Sequence, residues 1–125
     1  MRKTAVAVIV VSAAAVGGTG VAHGYPIPPA PPCTFALIGP VTEGPTVTAT
    51  VESVGCAALA TPYFSVACLQ GGQGVTQCIQ GHGTDPARVS MAFEPGVAYV
   101  ATGRGCSGWV NLNPTPDCQF LGPNS

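Results

Sequence analysis

The chain has 125 residues, five acidic and four basic, so its formal charge is −1 and only 7% of its residues are charged. That length bounds it to one domain. With no basic cluster anywhere, recognition of nucleic acid or of an anionic lipid surface is excluded, because both need a concentrated patch of Lys and Arg.

Residues 1–24 have the three-part layout of a secretory signal peptide. Arg2 and Lys3 give a basic start, Ala5 to Val16 an apolar run broken only by Ser12, and Gly17 to Gly24 a small-residue stretch. The apolar run is shorter than the roughly twenty residues a spanning helix needs. Ala22-His23-Gly24 before Tyr25 fits a cleavage site, and Gly20-Val21-Ala22 before His23 fits nearly as well. Cleavage at Tyr25 removes Arg2 and Lys3. It leaves Arg88 and Arg104 against Glu43, Glu52, Asp85, Glu94 and Asp117, with no membrane span. Pro31-Pro32 directly before Cys33 argues against a lipid anchor at that cysteine. The expected product is secreted or associated with the cell envelope. Its sparse charge leaves a surface of hydroxyl, amide and small apolar groups that suits such a setting.

Tyr25 to Pro32 is a proline-rich arm, read as extended polyproline-like chain. Residues 33–125 then form the domain. Cys33 to Ile38 reads as a first strand. Thr46 to Glu52 alternates, with Val47, Ala49 and Val51 on one face and the threonines and Glu52 on the other. Tyr63 to Gln70 and Val75 to Gln80 flank the turn cluster Gly71-Gly72-Gln73-Gly74. Arg88 to Phe93 alternates again, with Val89, Met91 and Phe93 inward. Glu94-Pro95-Gly96 is a turn, Val97 to Thr102 the next strand, and Cys118 to Leu121 the last. No window holds a helical period for three turns. Thirteen prolines and seventeen glycines interrupt the chain throughout, and seven short strands with frequent turns predict an antiparallel β-sandwich.

All six cysteines fall in the domain: Cys33, Cys56, Cys68, Cys78, Cys106 and Cys118. An even count in a small exported chain reads as a disulfide framework, for which six cysteines allow fifteen connectivities. Strand pairing favours one of them. Cys33 and Cys56 are centred near Gly44-Pro45, Cys68 and Cys78 on the glycine cluster, and Cys106 and Cys118 on Leu112 within Asn111 to Pro116. Each sequential pair is thus symmetric about a turn and sits opposed on a hairpin, within the reach of about 7 Å that a disulfide requires. Three hairpin clips, Cys33–Cys56, Cys68–Cys78 and Cys106–Cys118, are therefore expected.

Phe93-Glu94-Pro95-Gly96-Val97-Ala98-Tyr99-Val100 resembles the corner between the fifth and sixth strands of immunoglobulin-like domains. That likeness implies an immunoglobulin-like sandwich, with Tyr99 bonding its hydroxyl back to nearby backbone. The clips Cys68–Cys78 and Cys106–Cys118 resemble in layout those of neocarzinostatin-type apoproteins. These are small secreted actinobacterial immunoglobulin-like domains that hold an apolar chromophore. Cys33–Cys56 departs from that layout, and the likeness covers about half the chain.

No catalytic, metal or cofactor motif stands out. There is no Cys-x-x-Cys. Cys78, His82 and Asp85 could offer three metal ligands, but Cys78 is better used in its clip. Ser65, His82 and Asp85 supply the residue types of a triad without a glycine-flanked nucleophile. The reading is therefore non-enzymatic and without a cofactor. Trp109 and Arg104 belong to the residue types most enriched at binding hot spots, and both lie in the last hairpin. Gly103 to Val110, which carries both, reads as a loop fixed by Cys106–Cys118, and the first expectation is a secreted interaction module that engages a protein or envelope partner through the loops at one end of the sandwich. The second is a carrier of a small apolar ligand, in a cleft of Phe64, Val66, Cys68, Cys78 and Trp109. A third is a structural or antigenic envelope protein with no discrete site.

Overall fold

Alternating apolar and hydroxylated residues become two packed sheets in the computed structural model, which describes residues 30–110 and 115–125. Residues 1–24, most of the arm 25–32, and residues 111–114, where the sequence reading centres the last hairpin, lie outside the described residues. Pro31–Ser125 form one unit. Its strands are β1 (Cys33–Glu43), β2 (Thr46–Cys56), β3 (Ala60–Gln70), β4 (Thr76–His82), β5 (Ala87–Ala92), β6 (Val100–Trp109) and β7 (Asp117–Asn124). They pair antiparallel as a three-stranded sheet, β1-β2-β5, and a four-stranded sheet, β4-β3-β6-β7. This is the predicted antiparallel β-sandwich of seven strands, with the fourth strand beside the third.

The core lies between the sheets. Val47, Ala49 and Val51 of β2 and Val89 of β5 face Ala67 and Leu69 of β3 and Ala101 of β6, all of them buried, with Phe35 of β1 beside them. The sheets approach closely because β6 offers glycine at two inward positions. A Cβ on Gly103 would run into Val51, and one on Gly105 into the ring of Phe35.

Each disulfide joins opposed residues of neighbouring antiparallel strands. Cys33–Cys56 ties β1 to β2, Cys68–Cys78 ties β3 to β4, and Cys106–Cys118 ties β6 to β7, with Cα atoms 4.0, 4.1 and 4.0 Å apart. The three expected clips are all present. No cysteine is left free.

Local departures from the sequence reading have local causes. Gly103 to Trp109 is strand, not loop. Its glycines have little strand propensity of their own, but β3 and β7 bond the segment from both sides, and pairing overrides propensity. Thr48 belongs by alternation to the solvent face yet is buried, its Oγ1 3.0 Å from Ser90 Oγ on β5. Alternation predicts Phe93 inward, but it is 39% exposed, because β5 ends at Ala92 and the alternation ends with it. Its ring instead leans on Tyr99, with centroids 6.3 Å apart. Tyr99 does what the corner likeness implied. Its hydroxyl donates to Ala92 O at 3.0 Å and accepts from Glu94 N–H at 2.9 Å.

The sandwich is closed along one side. The outward edge of β1 is met by side chains from the opposite sheet. Cys33 N–H donates to Ser107 Oγ at 3.2 Å, Phe35 N–H donates to Gln119 Oε1 at 2.9 Å, and Asn124 Nδ2 donates to Gly39 O at 3.2 Å. These bonds staple the sheets together and occupy an edge that would otherwise template pairing with another chain.

Candidate functional site

Strand parity decides which side chains leave the core. Ser65, Ala67 and Leu69 are buried between the sheets, so Phe64, Val66 and Cys68 stand on the outer face of the four-stranded sheet. Register carries the same face across its neighbours. Val66 is opposite Gln80 on β4 and Arg104 on β6, and Arg104 is opposite Phe120 on β7. One row further, Phe64 is opposite Cys106, which is bonded to Cys118. In the other direction Cys68, bonded to Cys78, is opposite Thr102. Two disulfides thus bracket an aromatic and apolar patch that carries one cation.

The patch is concave. A groove of about 490 Å³ has the β6 backbone at Thr102 and Gly103 as its floor, Val66 and Cys68 along one side, and Phe120 and Leu121 along the other. Arg104 folds toward Phe64, its guanidinium carbon 5.5 Å from the ring centroid. At an exposed position such a cation–π contact contributes about 0.5–1 kcal/mol, enough to bias the side chain over the ring; Arg104 also lines the groove. Phe120 is 76% exposed, the most open large apolar side chain among the described residues. Among the described residues the only salt bridge joins Arg88 to Glu43 at 3.0 Å, so the Arg104 charge meets no carboxylate.

Phe64, Val66 and Arg104, singled out in the sequence, therefore come together. Trp109 does not join them. It closes β6 opposite Ala60, half-buried, and alternation along the regular β6 turns it to the face of Ser107, away from Arg104. The expected cleft keeps Phe64, Val66, Cys68 and Cys78 on one face and excludes Trp109. Phe120 is not singled out by residue type or motif, but the cysteine spacing carries a signal for it. Once Cys118 is clipped opposite Cys106, counting two residues along each strand sets Phe120 opposite Arg104.

The triad types do not assemble. Ser65 is buried on the core side of β3, whereas His82 is exposed on the outer face opposite Phe64. Asp85 takes part in a turn, its N–H donating to His82 O at 3.0 Å. Among the described residues no His, Cys, Asp and Glu side chains gather into a group able to hold a metal ion. No known protein family, no curated protein and no solved structure matches this chain.

Proposed function

We propose that this chain is an exported binding module whose recognition surface is the outer face of its four-stranded sheet. One observation carries the reading: Phe120 stands open beside the Arg104–Phe64 pair on a concave apolar surface between two disulfides. A solvated phenylalanine gains little where it is. Covered by a partner, a buried aromatic ring contributes on the order of 2 kcal/mol. Aromatic residues with arginine are the usual composition of binding hot spots, and the strands beneath hold them rigid. The partner that fits is an apolar protein or envelope segment carrying an acidic or aromatic group for Arg104. Export rests on the leader-like residues 1–24.

A second reading has its own support. The groove volume falls within the roughly 300–1,000 Å³ of small-molecule sites, and the layout resemblance to neocarzinostatin-type apoproteins points the same way. The protein would then carry a small apolar ligand in the same groove. Native and denaturing mass spectrometry of protein recovered from its own host separates the two. An excess of native mass identifies a carried ligand, and equal masses favour the partner reading. In either case Phe120→Ala is expected to lower affinity at least tenfold with stability unchanged to within about 0.5 kcal/mol, the usual size of a surface substitution. Undiminished binding by Phe120→Ala and Arg104→Ala would remove the groove from the proposal.

A further inference from the structure

Two of the four edge strands of this sandwich, β1 and β4, are treated differently. The edge of β1 is occupied by Ser107, Gln119 and Asn124. On the opposite side, β4 ends the four-stranded sheet, and among the described residues it pairs only with β3.

The hydrogen-bond phase of β4 follows from its two flanks. Gly71 N–H donates to Val75 O and Gly83 N–H donates to Tyr63 O, each at 2.9 Å. Ser65·Gly81, Ala67·Ile79 and Leu69·Gln77 stand in the same phase of the ladder. Bonded and non-bonded pairs alternate in antiparallel sheets, so these are the bonded ones. Cys78 and Gln80 consequently turn their N–H and C=O groups away from β3, to the open side. Among the described residues no backbone group outside the strand ladders and no side chain bonds to them.

Nothing in β4 discourages pairing. Edge strands are normally blunted by charge, proline, a bulge or brevity. Thr-Gln-Cys-Ile-Gln-Gly-His, residues 76–82, contains no Lys, Arg, Asp, Glu or Pro. Its seven residues pair with β3 without a register shift. The strand also overhangs the three-stranded sheet. Ile79 points to the inner side, opposite Ala67, yet is 49% exposed.

We propose that β4 pairs antiparallel with β4 of a second copy of this chain, about a two-fold axis through Ile79. The strand is self-complementary in that arrangement. Cys78 meets Gln80 of the second copy and Gln80 meets its Cys78, so the free groups of each copy bond those of the other. Thr76 falls opposite His82, and no like charges meet. The two Ile79 side chains face each other in a non-bonded pair, where side chains approach most closely, and each covers the other. An axis perpendicular to the sheet joins two four-stranded sheets into one of eight strands. It also sets both Phe120 grooves on the same side of the dimer. The contact is isologous, as in most homodimers. It is narrower than the standard interface of about 1,600 Å², so the dimer dissociates on dilution.

Sedimentation velocity on the purified protein is expected to show the mass doubling as concentration rises through the micromolar range. Ile79→Lys sets two ammonium groups against each other at the axis and should hold the protein monomeric throughout. Ile79→Cys should give a covalent dimer on non-reducing gels, linked through position 79. Amide exchange at Cys78 and Gln80 should slow as concentration rises, a readout that needs neither variant to fold. A protein that stays monomeric at every concentration, a dimer that survives Ile79→Lys with its fold intact, or Cys78 and Gln80 amides whose exchange ignores concentration would overturn the proposal.

Discussion

Replacing Gly105 by alanine puts a methyl group where the Phe35 ring lies. The added Cβ would fall well inside contact distance of three ring carbons, including the one that joins the ring to its own Cβ. Ordinary carbon contact is about 3.5–4.0 Å, so the ring would have to withdraw by more than ~1 Å. It has nowhere to go. Phe35 is 5% exposed, is packed into the core cluster, and its strand is held by the bond from its N–H to Gln119. Overpacking of this kind costs about 1–3 kcal/mol, and the base of a ring cannot swing aside, so the loss should fall near the upper figure. The sign is informative. Gly105 sits in regular strand without a positive φ, and there alanine would otherwise stabilise by about 0.5–1 kcal/mol through its smaller chain entropy. Phe35→Ala alone should cost about 3–5 kcal/mol. In the double variant the new methyl enters the space the ring has left. The combined loss should therefore fall short of the sum by about 1–3 kcal/mol. Guanidinium unfolding with disulfides intact, followed through Trp109 fluorescence, measures all three. A Gly105→Ala protein as stable as the parent, or strict additivity with Phe35→Ala, would refute the claim that this glycine exists to admit the ring.

Tyr99→Phe removes both bonds of the corner hydroxyl; with each worth about 0.5–1.5 kcal/mol, a loss near 1–2 kcal/mol is expected in thermal unfolding. Gln119→Ala leaves the Phe35 N–H without its acceptor and should cost about 1–2 kcal/mol, with faster exchange of that one amide by NMR. Removing a disulfide as a double Ala variant should lower stability by about 3 kcal/mol. Cys33–Cys56, which spans 23 positions against 10 and 12 for the others, should cost the most in denaturant titrations. Arg88→Ala breaks an exposed pair and should change stability by less than about 1 kcal/mol, the difference vanishing in high salt.

Much of this architecture is legible one residue at a time. Period-two alternation in Thr46 to Val51 and Arg88 to Met91 names strands and their inward faces, because one face of a sandwich sheet is buried and the other is not. The turn glycines and the six cysteines confirm each other, since a clip symmetric about a turn needs only the local geometry of one hairpin. Tyr99 is equally local, bonding backbone five and seven positions away. What the sequence alone determined is this set of hairpins and their inner faces.

Only the tertiary structure decided how hairpins lie against one another. The strand character of Gly103 to Trp109 comes from neighbours on both sides, and no property of seven residues rich in glycine announces it. Gly105 beneath Phe35, and Gln119 on the edge of β1, are contacts between residues 70 and 84 positions apart in the chain. The groove is likewise assembled from β3, β6 and β7, and whether Trp109 belonged to it turned on the parity of a strand whose extent was unreadable. Side-chain direction follows from pairing, and pairing between distant strands is set by the closure of two sheets on one core.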